Sequence, residues 1–203
     1  MAGDYFALLQ NTGDPVRDVR QFLRRAGRLD TLRHVTQVRA AGRRLARRLG
    51  LALPPVDLAC LAHDLAAVVP RSALLQAAAD WAVTLSEGDR AIPAVIHGPL
   101  AAAVLEQRLG VTDGDVLNAV RYHTTLRAGA APLEQLVFIA DKIALDPASR
   151  DTGFHAALLR AKDEAPLPEL CLIYLDWVVT EAPGLGWTVH PAARAAREWL
   201  RAR

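Results

Sequence analysis

The segment VDLACLAHDLAAVV (Val56–Val69) sets His63 and Asp64 in the middle of an apolar run. A buried carboxylate without partners costs several kcal/mol, so this pair needs hydrogen bonds, opposite charge or a metal ion. Adjacent helical residues point about 100° apart. Two such neighbours reach one ion only if it lies off the helix edge and other helices complete its shell. Candidates for that shell are spread along the chain. His34 lies at the edge of the stripe Val38, Ala41 and Leu45, and Asp141 sits inside the apolar QLVFIADKIA. His97 stands just before Gly98-Pro99, and His123 lies between Tyr122 and Thr124. Two imidazoles with two carboxylates suit a divalent transition ion, with positions left for water and phosphate oxygens. A lone His-Asp pair is also what a hydrogen-bonded core histidine looks like, and on residue types alone both readings stand.

The elements that must position these residues read as helices almost throughout. Alanine and leucine dominate, and Pro and Gly punctuate at helix-length intervals. Helices are expected from Asp14-Pro15 to Ala26, from Asp30 to Leu49, from Pro54-Pro55 to Pro70, and from Ser72 to Leu85. Others are expected from Pro99 to Gly110, from Asp113 or Asp115 to His123-Thr124, and from Pro132 to Ile143. The last three cover Phe154–Lys162, Leu167–Thr180 and Pro191–Arg201. No Gly, Ser or Pro-rich linker divides the chain. The expectation is therefore a flexible N-terminal extension over 1–13 and one all-α domain over 14–203.

Composition narrows the class. The 203 residues are 52% hydrophobic and 23% charged, which excludes a disordered, collagenous or disulfide-stapled chain. No apolar run reaches the length of a membrane span, and MAGDYFALLQNTGDP lacks the pattern of a signal peptide. Two cysteines, Cys60 and Cys171, point to a reducing cytoplasm. The formal net charge of +2 conceals eleven arginines between Arg17 and Arg48 against Asp18 and Asp30. That segment carries +9 and the rest −7, which suits a polyphosphate substrate without requiring nucleic acid. Arg43-Arg44 and Arg47-Arg48 read as solvated, His155 and His190 as surface or loop residues, and Cys60 as a small buried residue. Trp81, Trp177, Trp187 and Trp199 read as packing residues, although one of them, or Tyr174, is a candidate to stack on an adenine.

The ordered series RHV (Arg33–Val35), AHDLA (Ala62–Ala66), IHGP (Ile96–Pro99), RYHTT (Arg121–Thr125) and IADKI (Ile139–Ile143) resembles the HD-domain metal-dependent phosphohydrolases. More narrowly it resembles the bacterial YqeK family of symmetrical diadenosine-tetraphosphate hydrolases, over roughly Arg28 to His190. The resemblance implies a single all-α HD-domain helical bundle. It also implies a divalent metal, iron first with cobalt or manganese as alternatives, held by His34, His63, Asp64 and Asp141. It turns His97, His123 and Thr124 toward the phosphate chain, together with His34 and Arg150, and gives catalytic roles to Asp64, His97 and His123. The implied partner is a dinucleoside polyphosphate cut into two ADP, with no nucleic acid and no membrane; a homodimer is left open. The pattern departs at Ala66-Ala67, where that family usually carries a lysine, and Arg71 is the nearest substitute. The run ALDPASR after Asp141 is lengthened, which makes Arg150 the counterpart of the family's arginine. Two rivals follow from these departures: another HD-type hydrolase acting on a nucleoside phosphate or guanosine alarmone, and a catalytically silent HD regulatory module.

Overall fold

A computed structural model describes residues 4–145 and 153–203. Among them the chain forms helices and turns without strands: α1 (Pro15–Arg25), α2 (Leu29–Leu49), α3 (Leu53–Ala62), α4 (Leu74–Asp80), α5 (Glu87–Ala91), α6 (His97–Leu109), α7 (Gly114–Arg121), α8 (Pro132–Ile143), α9 (Gly153–Ala161), α10 (Leu167–Thr180) and α11 (Pro191–Arg201). Single 3₁₀ turns cover Leu65–Val68, Arg71–Ala73, Pro93–Ile96 and Ala182–Leu185. No single helix here is long and apolar enough to cross a membrane.

α8 is the axis of the bundle. Every residue from Leu133 to Ile143 is buried, and the helix starts on Pro132, whose missing N–H costs nothing at that position. Around it pack α2, α3, α7, α9 and α10. α2 turns Val35, Val38, Ala41, Leu45 and Ala46 inward and ends at Gly50 in the left-handed conformation, φ 70°. The α2–α3 crossing is close because Gly42 has no side chain: a Cβ there would lie 2.6 Å from the Cys60 Sγ. Arg39 clamps the same crossing from outside, its Nε and Nη2 each donating to Asp57 at 2.8 Å.

Four expectations change. The helix expected to run to Pro70 stops at Ala62; His63, its C-cap, keeps helical dihedrals, and Asp64 leaves them at φ −101°, ψ 19°. The helix expected from Ser72 is shorter, and α5 appears beyond it, opened by a reciprocal capping box between Ser86 and Asp89. Residues 4–13 are not a loose extension. Phe6 and Leu9 are buried, Phe6 lying edge-on to Trp81 at 5.4 Å, and Thr12 donates its backbone N–H and hydroxyl to the buried Asp18. Finally, Arg43 and Arg48 are engaged, Arg43 Nη1 lying 3.6 Å from Asp57 and Arg48 donating to the Glu164 and Ala165 carbonyls.

Candidate metal centre

Five elements deliver six side chains to one point. His34 projects from the second turn of α2 and Asp141 from the last turn of α8; His34 Nε2 lies 3.0 Å from Asp141 Oδ1. His63 and Asp64 come from the end of α3. Because the helix stops between them, the two adjacent side chains converge instead of diverging, and His63 Nε2 lies 3.5 Å from Asp64 Oδ2. His97 opens α6, and His123 follows the end of α7; their Nε2 atoms are 2.9 Å apart. Gly98 permits this approach: a Cβ there would sit 2.7 Å from the Arg121 carbonyl oxygen.

Three imidazoles are aimed by their own backbone. Nδ1 of His63 donates to the Cys60 carbonyl at 2.9 Å, Nδ1 of His97 to Ala94 at 2.7 Å, and Nδ1 of His123 to Val120 at 2.8 Å. A carbonyl only accepts, so Nδ1 carries the proton and each neutral ring presents the Nε2 lone pair inward, the tautomer a metal ligand needs. Asp64 faces both sides of the cluster, with Oδ2 3.7 Å from His34 and Oδ1 3.2 Å from His97 and 3.6 Å from His123.

The electrostatics fit a cation site. Burial raises the Asp64 carboxyl, but His63, His97 and His123 outweigh it and hold the group well below the usual carboxylate range. Asp141 is likewise held low against burial, by the Lys142 ammonium and by His34. Burial depresses His34 and His97, yet Asp141 and Asp64 respectively carry them above the ordinary imidazole value. His123 is pushed well down by burial and by the charges of His63 and His97. His63 Nε2 is fully buried with no hydrogen-bond partner, which is costly for a core histidine. Two triads, His34-His63-Asp141 and His63-Asp64-His123, each bring their donor atoms within 4.8 Å of one another. Donors about 2.0–2.2 Å from one ion lie about 3–3.5 Å apart, close to the spacings seen. A divalent transition ion fits these residues: His63 hydrogen-bonds the Cys60 carbonyl through Nδ1 and leaves Nε2 free toward the cluster.

Beyond the cluster, Thr124 Oγ1 lies 3.1 Å from His123 Nε2. Two cavities meet at Thr124 and Thr125. One, about 270 Å³, includes His97, Arg71 and Tyr174 in its wall. The other, about 480 Å³, includes Arg121 and Arg127. Arg71 therefore stands at the site mouth, whereas Arg150 lies outside the described residues. His155 and His190 are buried rather than on the surface: His155 packs beside Phe154, and His190 caps α11 by accepting from Ala192 N while lining both cavities. Trp187 is 55% exposed, so it is not a packing residue. Sequence reasoning missed Lys142. Its buried ammonium donates to Asp141 Oδ2 at 2.6 Å and to the His123 carbonyl at 3.2 Å, bracing two site residues at once. The available signal was a lysine inside an apolar helix in a chain with only two lysines.

Comparison with known proteins agrees with this geometry. The HD domain family model matches residues 31–146. A symmetrical bis(5'-nucleosyl)-tetraphosphatase of Bacillus subtilis is 32% identical over 72% of this chain and 88% of its own. One of the same name from Halalkalibacterium halodurans is 29% identical over 59% of this chain and 63% of its own. The crystal structure of a predicted HD superfamily hydrolase involved in NAD metabolism from Clostridium acetobutylicum is 26% identical. It superposes with a TM-score of 0.82 over 92% of this chain and 97% of that one. The clustered His34, His63-Asp64 and Asp141 lie inside the matched region, and the chain belongs to the HD-domain hydrolases, as a YqeK-type phosphohydrolase.

Proposed function

We propose that this hydrolase cleaves diadenosine tetraphosphate symmetrically, giving two ADP, with iron as the ion held by His34, His63, Asp64 and Asp141. The observation that carries the reading is the meeting of two cavities at Thr124 and Thr125, one of them lined by His97 and both beside His123 through Thr124. A bond cut at the centre of a symmetrical dinucleotide needs room for a nucleotide half on each side. The names of the Bacillus and Halalkalibacterium relatives support the same substrate class.

A divalent ion supplies Lewis acidity toward a phosphoryl oxygen and lowers the pKa of a coordinated water. The chain's own groups do the rest. Asp64, held ionised, orients the cluster and faces His97 Nε2 at 3.2 Å. His97, raised in pKa against burial by Asp64 and bordering the cavity, is placed, when protonated, to neutralise a phosphate oxygen or to give a proton to the departing ADP. His123, kept neutral, accepts from Thr124, which lines both cavities. Arg71 adds positive charge at the mouth, where the family's lysine is replaced by Ala66-Ala67. Both cysteines are free and buried, which suits a cytoplasmic enzyme.

The test is chromatography of products from diadenosine tetraphosphate with iron, cobalt and manganese in turn. Two equivalents of ADP are expected. AMP with ATP, or intact substrate, refutes the reading; faster turnover of a guanosine alarmone or nucleoside phosphate favours the other HD-type activity.

A further inference from the structure

The smaller of the two cavities has a mixed lining. Its wall includes His97, Thr124, Thr188 and His190, with Arg71 at the mouth, together with the apolar Ile92 and Val178 and the ring of Trp187. Such a lining, with His97 of the cluster in one part of the wall and an exposed aromatic ring in another, suits a nucleotide whose phosphates lie at His97 and whose base lies at the ring. Among the four tryptophans, Trp187 is distinct. Trp177 is buried and Trp81 and Trp199 are partly buried, whereas Trp187 is 55% exposed at the cavity rim and touches the body edge-on through Trp177, with centroids 5.5 Å apart. An edge-on contact at one side leaves ring surface for a partner. Trp187 follows Gly186, which holds φ 83°, a left-handed conformation that ends the Ala182–Leu185 turn and sets the start of the segment leading to His190.

We infer that this cavity seats a purine nucleoside half of the substrate and that Trp187 is the platform on which its base stacks. The inference rests on the dinucleotide reading above for its substrate but concerns a separate set of residues from the metal cluster. Trp187 is a specificity-determining residue: it binds base, touches none of the proposed ligands, and sets nucleotide affinity over bare polyphosphate. Aromatic faces hold bases without regard to their hydrogen-bonding edges, so the platform favours any purine over none and discriminates weakly between adenine and guanine.

The test compares wild type with Trp187→Ala and Trp187→Phe, each loaded with the same metal. Calorimetric titration measures affinity for ADP and, separately, for inorganic tripolyphosphate, a probe of the phosphate end alone. Trp187→Ala is expected to weaken ADP about 10-fold with tripolyphosphate unchanged, and Trp187→Phe to recover most of the loss. With diadenosine tetraphosphate the same loss is expected in KM and not in kcat. Unchanged ADP affinity in Trp187→Ala, or an equal loss for tripolyphosphate, overturns the inference. If wild type fails to cleave the dinucleotide but ADP affinity still depends on Trp187, the substrate reading fails and the nucleotide cavity stands.

Discussion

Replacing Lys142 by Met keeps the volume of the side chain and deletes its charge. The ammonium is 2.6 Å from Asp141 Oδ2, and the pair is buried. At that distance and an effective dielectric of about 20 the Coulomb attraction is about 6 kcal/mol. Desolvation of the ammonium offsets a large part of this, and breaking a buried pair by removing one partner costs about 3–5 kcal/mol net. His34 still reaches Asp141 at 3.0 Å in the variant, so the lower end applies. For a chain of this length a loss of about 3 kcal/mol lowers Tm by roughly 6–12 °C. The assay is urea unfolding and thermal melting of chelator-treated wild type and Lys142→Met. The metal must be absent because an ion beside Asp141 would supply the missing positive charge. A loss below about 1 kcal/mol would show that the Asp141 carboxylate does not depend on this ammonium, and the electrostatic account of the cluster would fall.

Three further outcomes are expected. His63→Asn should lose bound metal by elemental analysis, with affinity down more than about 100-fold, while helical circular dichroism persists. Gly98→Ala should destabilise by about 1–3 kcal/mol by overpacking, since the new Cβ meets the Arg121 carbonyl oxygen; reduced metal content should accompany the lower melting point as His97 and His123 are forced apart. Hydrogen bonding to Arg39 lowers the Asp57 pKa, so its stabilisation is fully present above the unfolded carboxylate pKa of about 3.9 and is lost as pH falls through the folded value. Asp57→Asn should therefore lose about 1 kcal/mol near neutrality in urea midpoints, and the gap to wild type should close below about pH 4.

The legible parts of the molecule were those with local causes. α8 is a run of apolar residues opened by a proline, and its boundaries are those expected from Pro132 to Ile143. Asp141 stood out because a carboxylate has no place in such a run, and the six site residues do converge. The break after Ala62 was invisible because no Gly or Pro occurs before Pro70; tertiary demand for both His63 and Asp64 overrides the helical propensity of the alanines and leucines around them. Residues 4–13 are terminal, and their apolar residues Tyr5–Leu9 form too short a run to show a pattern. Only the partner surfaces, Phe22 and Trp81 against Phe6, reveal that the segment is held. Lys142 was hidden for a similar reason: sequence places it one residue from Asp141, but not that its ammonium turns back to Asp141 and the His123 carbonyl.

The carbonyl three residues back from each of His63, His97 and His123 carries a consequence for how such a centre changes over evolutionary time. Orientation of these rings is a property of the local turn, supplied by main-chain atoms that every residue type possesses. Side chains lining the surrounding cavities are thus free to diverge, altering what is bound, without disturbing where the reactive point lies. The aim of these three rings and the choice of substrate are separable traits, and one scaffold is open to new substrates while its centre is inherited intact.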